Sequence, residues 1–354
     1  MISTLAEISR NVAEARTRLL GLVAVGLLAG CSANPIYTTT GIVLSNYSEG
    51  EATPYVLQMS DPEMACALGE GVDPLLYSFS RVTDAPDTTG SLLMLLAANC
   101  SEYRAWDAEL DYLRADFQGN VPAAKDAREL AKRMNAEVAK RRLMSFERAM
   151  RAYEYDPGAE NAECPFLFAE QDELTFMLGL LTGMQAIVND ANSGSMAGVP
   201  RNIAPQAERA AQCLDNEKWG GLPNAIRALV WLLIPDTRPS LAPDPWVVLE
   251  DSSRLSIEKG FRASMALEAV AAETFGRPDV LKDVIARFAE ADNTIEVWDD
   301  YRLVDEVARD VIMFSSDKQW TANYGYRTPR TFFGQLSPER AGEEVETMSL
   351  DDLL

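Results

Sequence analysis

The side chains that could do chemistry are few, and their absences narrow the field first. The chain of 354 residues contains no histidine. That excludes Ser-His-Asp and Cys-His catalysis, imidazole metal ligation and the usual proton shuttle near neutral pH. No G-x-x-x-x-G-K-[ST] or G-x-G-x-x-G loop cradles a phosphate. Carboxylate pairs such as Asp299-Asp300 are the remaining candidates for acid–base work, but among 54 acidic residues such pairs are the normal dress of a solvated surface. The sequence therefore does not read as an enzyme, and it implies no cofactor and no metal.

Five cysteines carry the rest of the chemistry. Cys31 closes the stretch Leu28-Ala29-Gly30-Cys31, which resembles a bacterial lipobox. Before it, Arg10, Arg16 and Arg18 form a basic start, and the uncharged run Leu19 to Gly30 is too short to span a bilayer, which needs about 20 apolar residues. The expectation is cleavage after Gly30 and lipidation of the Cys31 thiol. Each buried CH₂ contributes roughly 0.8 kcal/mol, so two or three acyl chains anchor permanently. By resemblance to lipoprotein sorting in enterobacteria, Ser32 rather than Asp at the next position implies the inner leaflet of the outer membrane, with the body in the periplasm.

The other four, Cys66, Cys100, Cys164 and Cys213, include no C-x-x-C pair, which argues against zinc or redox chemistry. An oxidising compartment allows two disulfides in three connectivities. The sequential pairing, Cys66 with Cys100 and Cys164 with Cys213, is the expected one, because helical arrays contact mainly their sequence neighbours. Buried free thiols are the alternative.

Composition sets the partners. Residues 1–30 hold three arginines and two glutamates, so the chain from Cys31 onward carries a formal charge of −23 against −22 for the whole. Such a chain repels phosphates and is not a nucleic-acid binder. With 47% hydrophobic residues it can bury a full core.

The elements that must position these residues read as helices almost throughout. Residues 1–30 are assigned to a signal peptide, 31–57 to the lipid anchor and a tether with a short extended piece, 58–314 to a helical domain, and 315–354 to an aromatic, loop-like extension with an acidic tail. Within the domain, Asp61-Pro62 caps a helix running towards Val82, and a leucine-rich helix reaches Phe117. Val121-Pro122 opens a long helix to about Glu154. That helix carries a basic stripe including Arg133, Lys140, Arg141 and Arg142, which reads either as a solvated face paired with carboxylates or as a docking face for an acidic partner. Gln171 to Asn189 is the most apolar helix, and the G-x-x-x-G spacing of Gly179 and Gly183 should let a neighbour approach closely. Shorter helices are expected at Ala207–Cys213 and Pro223–Leu233, followed by a stiff connection through Pro235, Pro239, Pro243 and Pro245. Phe261 to Phe275 and Pro278 to about Ala291 form a helix hairpin with Gly276 at the C′ position. A last helix is expected over Asp300 to Phe314. The fold class is all-α: an irregular, TPR-like superhelix of helix hairpins, lacking a strict 34-residue period.

The order of these features resembles the TatT component family of TRAP transporters. The resemblance rests on the lipobox and the Asp61-Pro62-Glu63 helix start. It continues with Pro86-Asp87 before the leucine-rich Leu92 to Ala98, the segment Lys140-Arg141-Arg142 through Tyr153, and the hairpin from Phe261 to Ala291. It implies a periplasmic lipoprotein, often trimeric, with a hydrophobic cavity for a small hydrophobic ligand or organic acid, working with a substrate-binding protein. Phe176, Met177, Leu181, Met184 and Trp231 are apolar residues that would line such a pocket, or else plain core. The aromatic segment and acidic tail depart from the family pattern. They leave open a different role, an assembly or docking lipoprotein of another envelope complex without a small-molecule ligand.

Overall fold

Prolines and short polar side chains start most of the helices. Asn34, Asp61, Asn120 and Asp244 each accept a hydrogen bond from a backbone N–H inside the first turn, from Ile36 (3.0 Å), Met64 (2.9 Å), Ala123 (3.3 Å) and Trp246 (2.9 Å). Each is followed within two positions by a proline, whose missing N–H costs nothing there. The computed structural model describes residues 34–159, 163–292 and 294–338. Cys31, the expected signal peptide and the acidic tail lie outside the described residues.

The elements are α1 (Pro35–Tyr47), a π turn (Ser48–Ala52), α2 (Thr53–Leu57), α3 (Pro62–Tyr77), α4 (Asp87–Phe117), α5 (Val121–Ala152), α6 (Glu170–Ser193), α7 (Ile203–Ala211), α8 (Leu222–Leu233), α9 (Pro245–Lys259), α10 (Ala263–Thr274), α11 (Pro278–Ala291) and α12 (Arg302–Tyr324), with short 3₁₀ turns between some of them. No strand occurs among the described residues, so the protein is all-α. From α3 to α11 each helix packs on the next in chain order. Then α12 breaks that order and returns to α4 and α10, while also touching α2. The array closes on itself.

Small residues set the tightest seams. A Cβ on Gly179 would lie 2.4 Å from the Ala149 Cβ, and one on Gly183 2.7 Å from the Phe146 ring, so the glycine pair of α6 admits α5 at close range as its spacing predicts. A Cβ on Gly69 would lie 2.5 Å from the Ala97 backbone nitrogen, which brings α3 equally close to α4. Disulfides staple two junctions in the sequential pairing. Cys66–Cys100 ties α3 to α4 (Cα–Cα 5.2 Å), and Cys164–Cys213 ties the loop before α6 to the end of α7 (Cα–Cα 5.4 Å). Each contributes about 3–4 kcal/mol by loop-entropy reasoning.

Three stretches differ from the sequence reading. Residues 35–57 are helical rather than an extended tether, because the Asn34 cap and Pro35 nucleate α1 and Gly41 seats it against Phe79 and Thr83. The proline-rich connection ends sooner than expected: Asp244 and Pro245 start α9, a helix the prolines concealed. The aromatic segment belongs to the domain, not to an extension after residue 314. Helix α12 continues to Tyr324, and Trp320 is fully buried, its Nε1 donating to the Gln335 carbonyl at 2.9 Å. Tyr324, Tyr326 and Phe332 gather around that ring.

Candidate functional site

The apolar residues that do not find a close-packed seam surround a cavity of about 320 Å³. Its walls come from distant parts of the chain. Leu44, Tyr47 and Val56 belong to the N-terminal segment, Leu68 and Val72 to α3, Leu92, Leu96 and Asn99 to α4, Leu178 and Leu181 to α6, Ala266 and Val270 to α10, and Val304, Val307 and Val311 to α12. None of the lining residues carries a charge. The volume lies in the range of about 300–1,000 Å³ typical of small-molecule sites, and the lining is as apolar as such sites usually are.

Polar groups are sparse and placed on the wall. Thr89 and Asn99 of α4 line the cavity, are each only 5% exposed, and make no side-chain hydrogen bond among the described residues. Buried polar side chains normally find a partner, so these two are available to a bound molecule. Gln185 of α6 adds a second side-chain amide to the lining. The π turn supplies Ser48 and Ala52, and Thr53 at the start of α2 donates its Oγ1 to the Ser48 carbonyl at 2.8 Å. Such π segments recur at functional sites. Glu49 on the same turn is held above the ordinary carboxylate range, first by burial and then by the charge of Asp172.

Of the residues expected to line a pocket, only Leu181 does so. Phe176, Met177 and Met184 have no exposed surface and sit in the main core, Phe176 against the rings of Tyr153 and Tyr155, and none of the three lines the cavity. Trp231 is also core, with the Arg227 guanidinium 5.0 Å from its ring centroid. Helix α6 is apolar on most of its faces, and its rotation against α5, fixed by Gly179 and Gly183, decides which side meets the cavity.

The basic stripe divides. Arg133 and Lys140 are exposed on α5. Arg141 donates to Glu70 (2.6 Å) and to the Ala97 carbonyl (2.7 Å), and Arg142 is buried against Glu102 with a second bond to Asn189 Oδ1. Arg148 is likewise buried on Asp73, donates to the Gly90 carbonyl at 2.8 Å and lies 3.7 Å from the Tyr77 ring centroid. These cations pin α5 to α3, α4 and α6, so they do not form one docking face.

Two further polar features complete the survey. Asp190 accepts from the backbone N–H groups of Ala197 (2.8 Å), Gly198 (3.3 Å) and Val199 (2.9 Å). Burial pushes its carboxyl up, but those amides outweigh burial and hold it below its ordinary value. A second, polar hollow of about 300 Å³ lies between α4, α10, α11 and α12. There Lys318 bonds Glu273 at 2.5 Å, and burial holds Glu109 above its ordinary range. The other cation of the lining, Arg277, is already paired with Asp279 (2.9 Å), so neither cation is left to hold an anion. No group of metal-ligating side chains is found among the described residues, and none of their helices is long and apolar enough to cross a membrane.

Sequence analysis missed the cavity residues on α1, α3, α4, α10 and α12. Their apolar periodicity was visible, but nothing local says that Leu44, Leu96 and Val307 meet. Comparison with protein families, with curated proteins and with solved structures finds no match to this chain.

Proposed function

We propose that this protein is a periplasmic lipoprotein that holds a small hydrophobic molecule, as an accessory of a TRAP-type transport system that also docks a substrate-binding protein. The observation that carries the reading is the uncharged cavity between α4, α6, α10 and α12, with the unpartnered Thr89 and Asn99 on its wall. These groups suit a ligand with an apolar body and a neutral hydroxyl, carbonyl or amide. An organic acid fits less well. With no cation on the wall, a buried carboxylate would lose its hydration with nothing to replace it, a cost of several kcal/mol. Such a ligand enters protonated or keeps its carboxylate outside.

Native mass spectrometry of the full chain, released from mild detergent, tests this. The expected spectrum shows a hydrophobic adduct in stoichiometric amount, and the cavity-filling variant Leu181→Trp loses it while retaining its helical circular dichroism. A bare chain, or an adduct indifferent to Leu181→Trp, overturns the ligand reading. The second reading, an assembly lipoprotein without a ligand, is favoured by one feature: Phe166 and Phe168 stand 83% and 86% exposed on the loop before α6, a ready contact for a partner.

A further inference from the structure

Helix α1 is built in reverse for a helix in water. The face it turns to the body is small and polar: Thr38, Gly41 and Ser45 recur at i, i+3 and i+7 and are its covered positions, and Ser48 of the π turn continues the row. Thr38 Oγ1 donates to the Val82 carbonyl at 3.3 Å, and a Cβ on Gly41 would lie 2.8 Å from the Phe79 ring. The large apolar residues point away. Ile36, Tyr37, Ile42, Val43 and Tyr47 are between 49% and 69% exposed, and no residue of the helix is charged. A surface helix in water places its apolar stripe on the core and its charges outside. Something apolar covers this outer face.

The patch continues across the cavity mouth. On α3, Met64, Leu68, Val72 and Leu75 follow an i, i+4, i+8, i+11 stripe, with Met64, Leu68 and Leu75 exposed. Leu44 and Tyr47 of α1 and Leu68 and Val72 of α3 line the cavity and retain solvent exposure, so the two stripes meet where it opens.

The sequence supplies the occupant. Cys31 stands four positions before Pro35, and four residue steps reach at most about 14 Å. That is shorter than α1 itself, about 20 Å for 13 residues. Acyl chains on Cys31 would therefore hold α1 at the lipid surface. At that length the helix cannot span a bilayer, but its tyrosines suit the headgroup level, where an aromatic ring is buried and its hydroxyl is wet. A body as acidic as this one is repelled by anionic lipid, and α1 is the uncharged face it can present.

We propose that α1 lies in the plane of the membrane, its Ile36, Tyr37, Ile42, Val43 and Tyr47 face seated at the headgroup–acyl boundary, so that the cavity mouth between α1 and α3 opens onto the bilayer. A hydrophobic molecule then passes between lipid and cavity without crossing water. The inference rests on lipidation of Cys31 and holds whether or not the cavity serves a TRAP-type system.

The test uses the full chain expressed in a bacterial envelope, purified in detergent and reconstituted into phosphatidylethanolamine–phosphatidylglycerol vesicles containing spin-labelled lipid. A bimane fluorophore is placed on Val43→Cys or, as a distant reference, on Glu129→Cys of α5, exposed towards the far end of that helix. Quenching by the lipid is expected to be several-fold greater at Val43 than at Glu129. The double substitution Ile36→Asp with Tyr47→Asp should abolish that preference while leaving circular dichroism unchanged. Equal quenching at both positions overturns the proposal. So does shielding of the Val43 label that persists in detergent and rises with protein concentration, which marks a second copy as the cover. Mass analysis of the N-terminal peptide separates the two failures: a lipidated Cys31 without quenching defeats the interface alone, and an unmodified Cys31 without quenching defeats the anchor with it.

Discussion

The α5–α6 seam and the cavity are both lined largely by apolar side chains, yet one is filled and the other is open. Along the seam, two long helices that follow each other in sequence run antiparallel, and Gly179 and Gly183 remove the Cβ atoms that would hold them apart. Ala149 and Phe146 fill the space so freed. At the cavity, six segments converge, with α12 returning to α4 and α10 and the N-terminal segment arriving from the other end. Cylinders about 10 Å across cannot all touch at one point. Close packing here is a property of sequence neighbours, and open volume arises where topology forces non-neighbours together.

Substitutions on the two sides should break or sharpen that contrast. The largest effect is expected from Arg148→Met where α5 packs on α3 and α4, also sequence neighbours of one another, because it strands Asp73 buried without its cation. Urea unfolding should show a loss of about 3–5 kcal/mol, part of it recovered by adding Asp73→Asn. Next comes Gly179→Val, whose side chain has no room against Ala149. About 1–3 kcal/mol should be lost in the same measurement, whereas Leu181→Trp, which projects into the cavity, should cost less than about 1.5 kcal/mol. A Leu181→Trp variant as unstable as Gly179→Val would mean that the cavity is no roomier than the seam.

A third measurement follows acid unfolding at the end of α6. The Asp190 carboxyl is held below its ordinary value, so its stabilisation is complete above the unfolded carboxylate value of about 3.9 and is lost as pH falls through the lower folded value. Asp310 and Asp317 are raised by burial and respond in the opposite sense, so the readout is the difference between wild type and Asp190→Asn. That difference, about 1–3 kcal/mol at neutral pH, should shrink only below about pH 4. The smallest effect is expected from Val307→Ala on the cavity wall. Its removed methyls already border open space, so the loss should stay under about 1 kcal/mol in the same urea measurement.

Much of the molecule was legible locally. Helical periodicity, the Asp61 and Asn120 caps, Gly276 at its C′ position with Pro278 behind it, and the close approach offered by Gly179 and Gly183 all act over a few residues, so the amino-acid order determines them. The sequential order of the disulfides belongs with them, because it follows from neighbouring helices packing together. The N-terminal helix was hidden by its Thr- and Ser-rich composition, and α9 by the prolines in front of it.

What only the tertiary structure decided is which of many similar apolar side chains face one another. Phe176, Met177 and Met184 are as apolar as Leu181, but each step along a helix turns the side chain by about 100°. The α5 contact therefore sends the first three into the core and the last into the cavity. The same holds for charge: Arg142 and Arg148 look like their exposed neighbours Arg133 and Lys140 until Glu102 and Asp73 arrive from other helices. Sequence determined the helices and their neighbours, since those interactions are short in range. The cavity required α12 to return across the array, a contact between residues some 200 positions apart that no local pattern encodes.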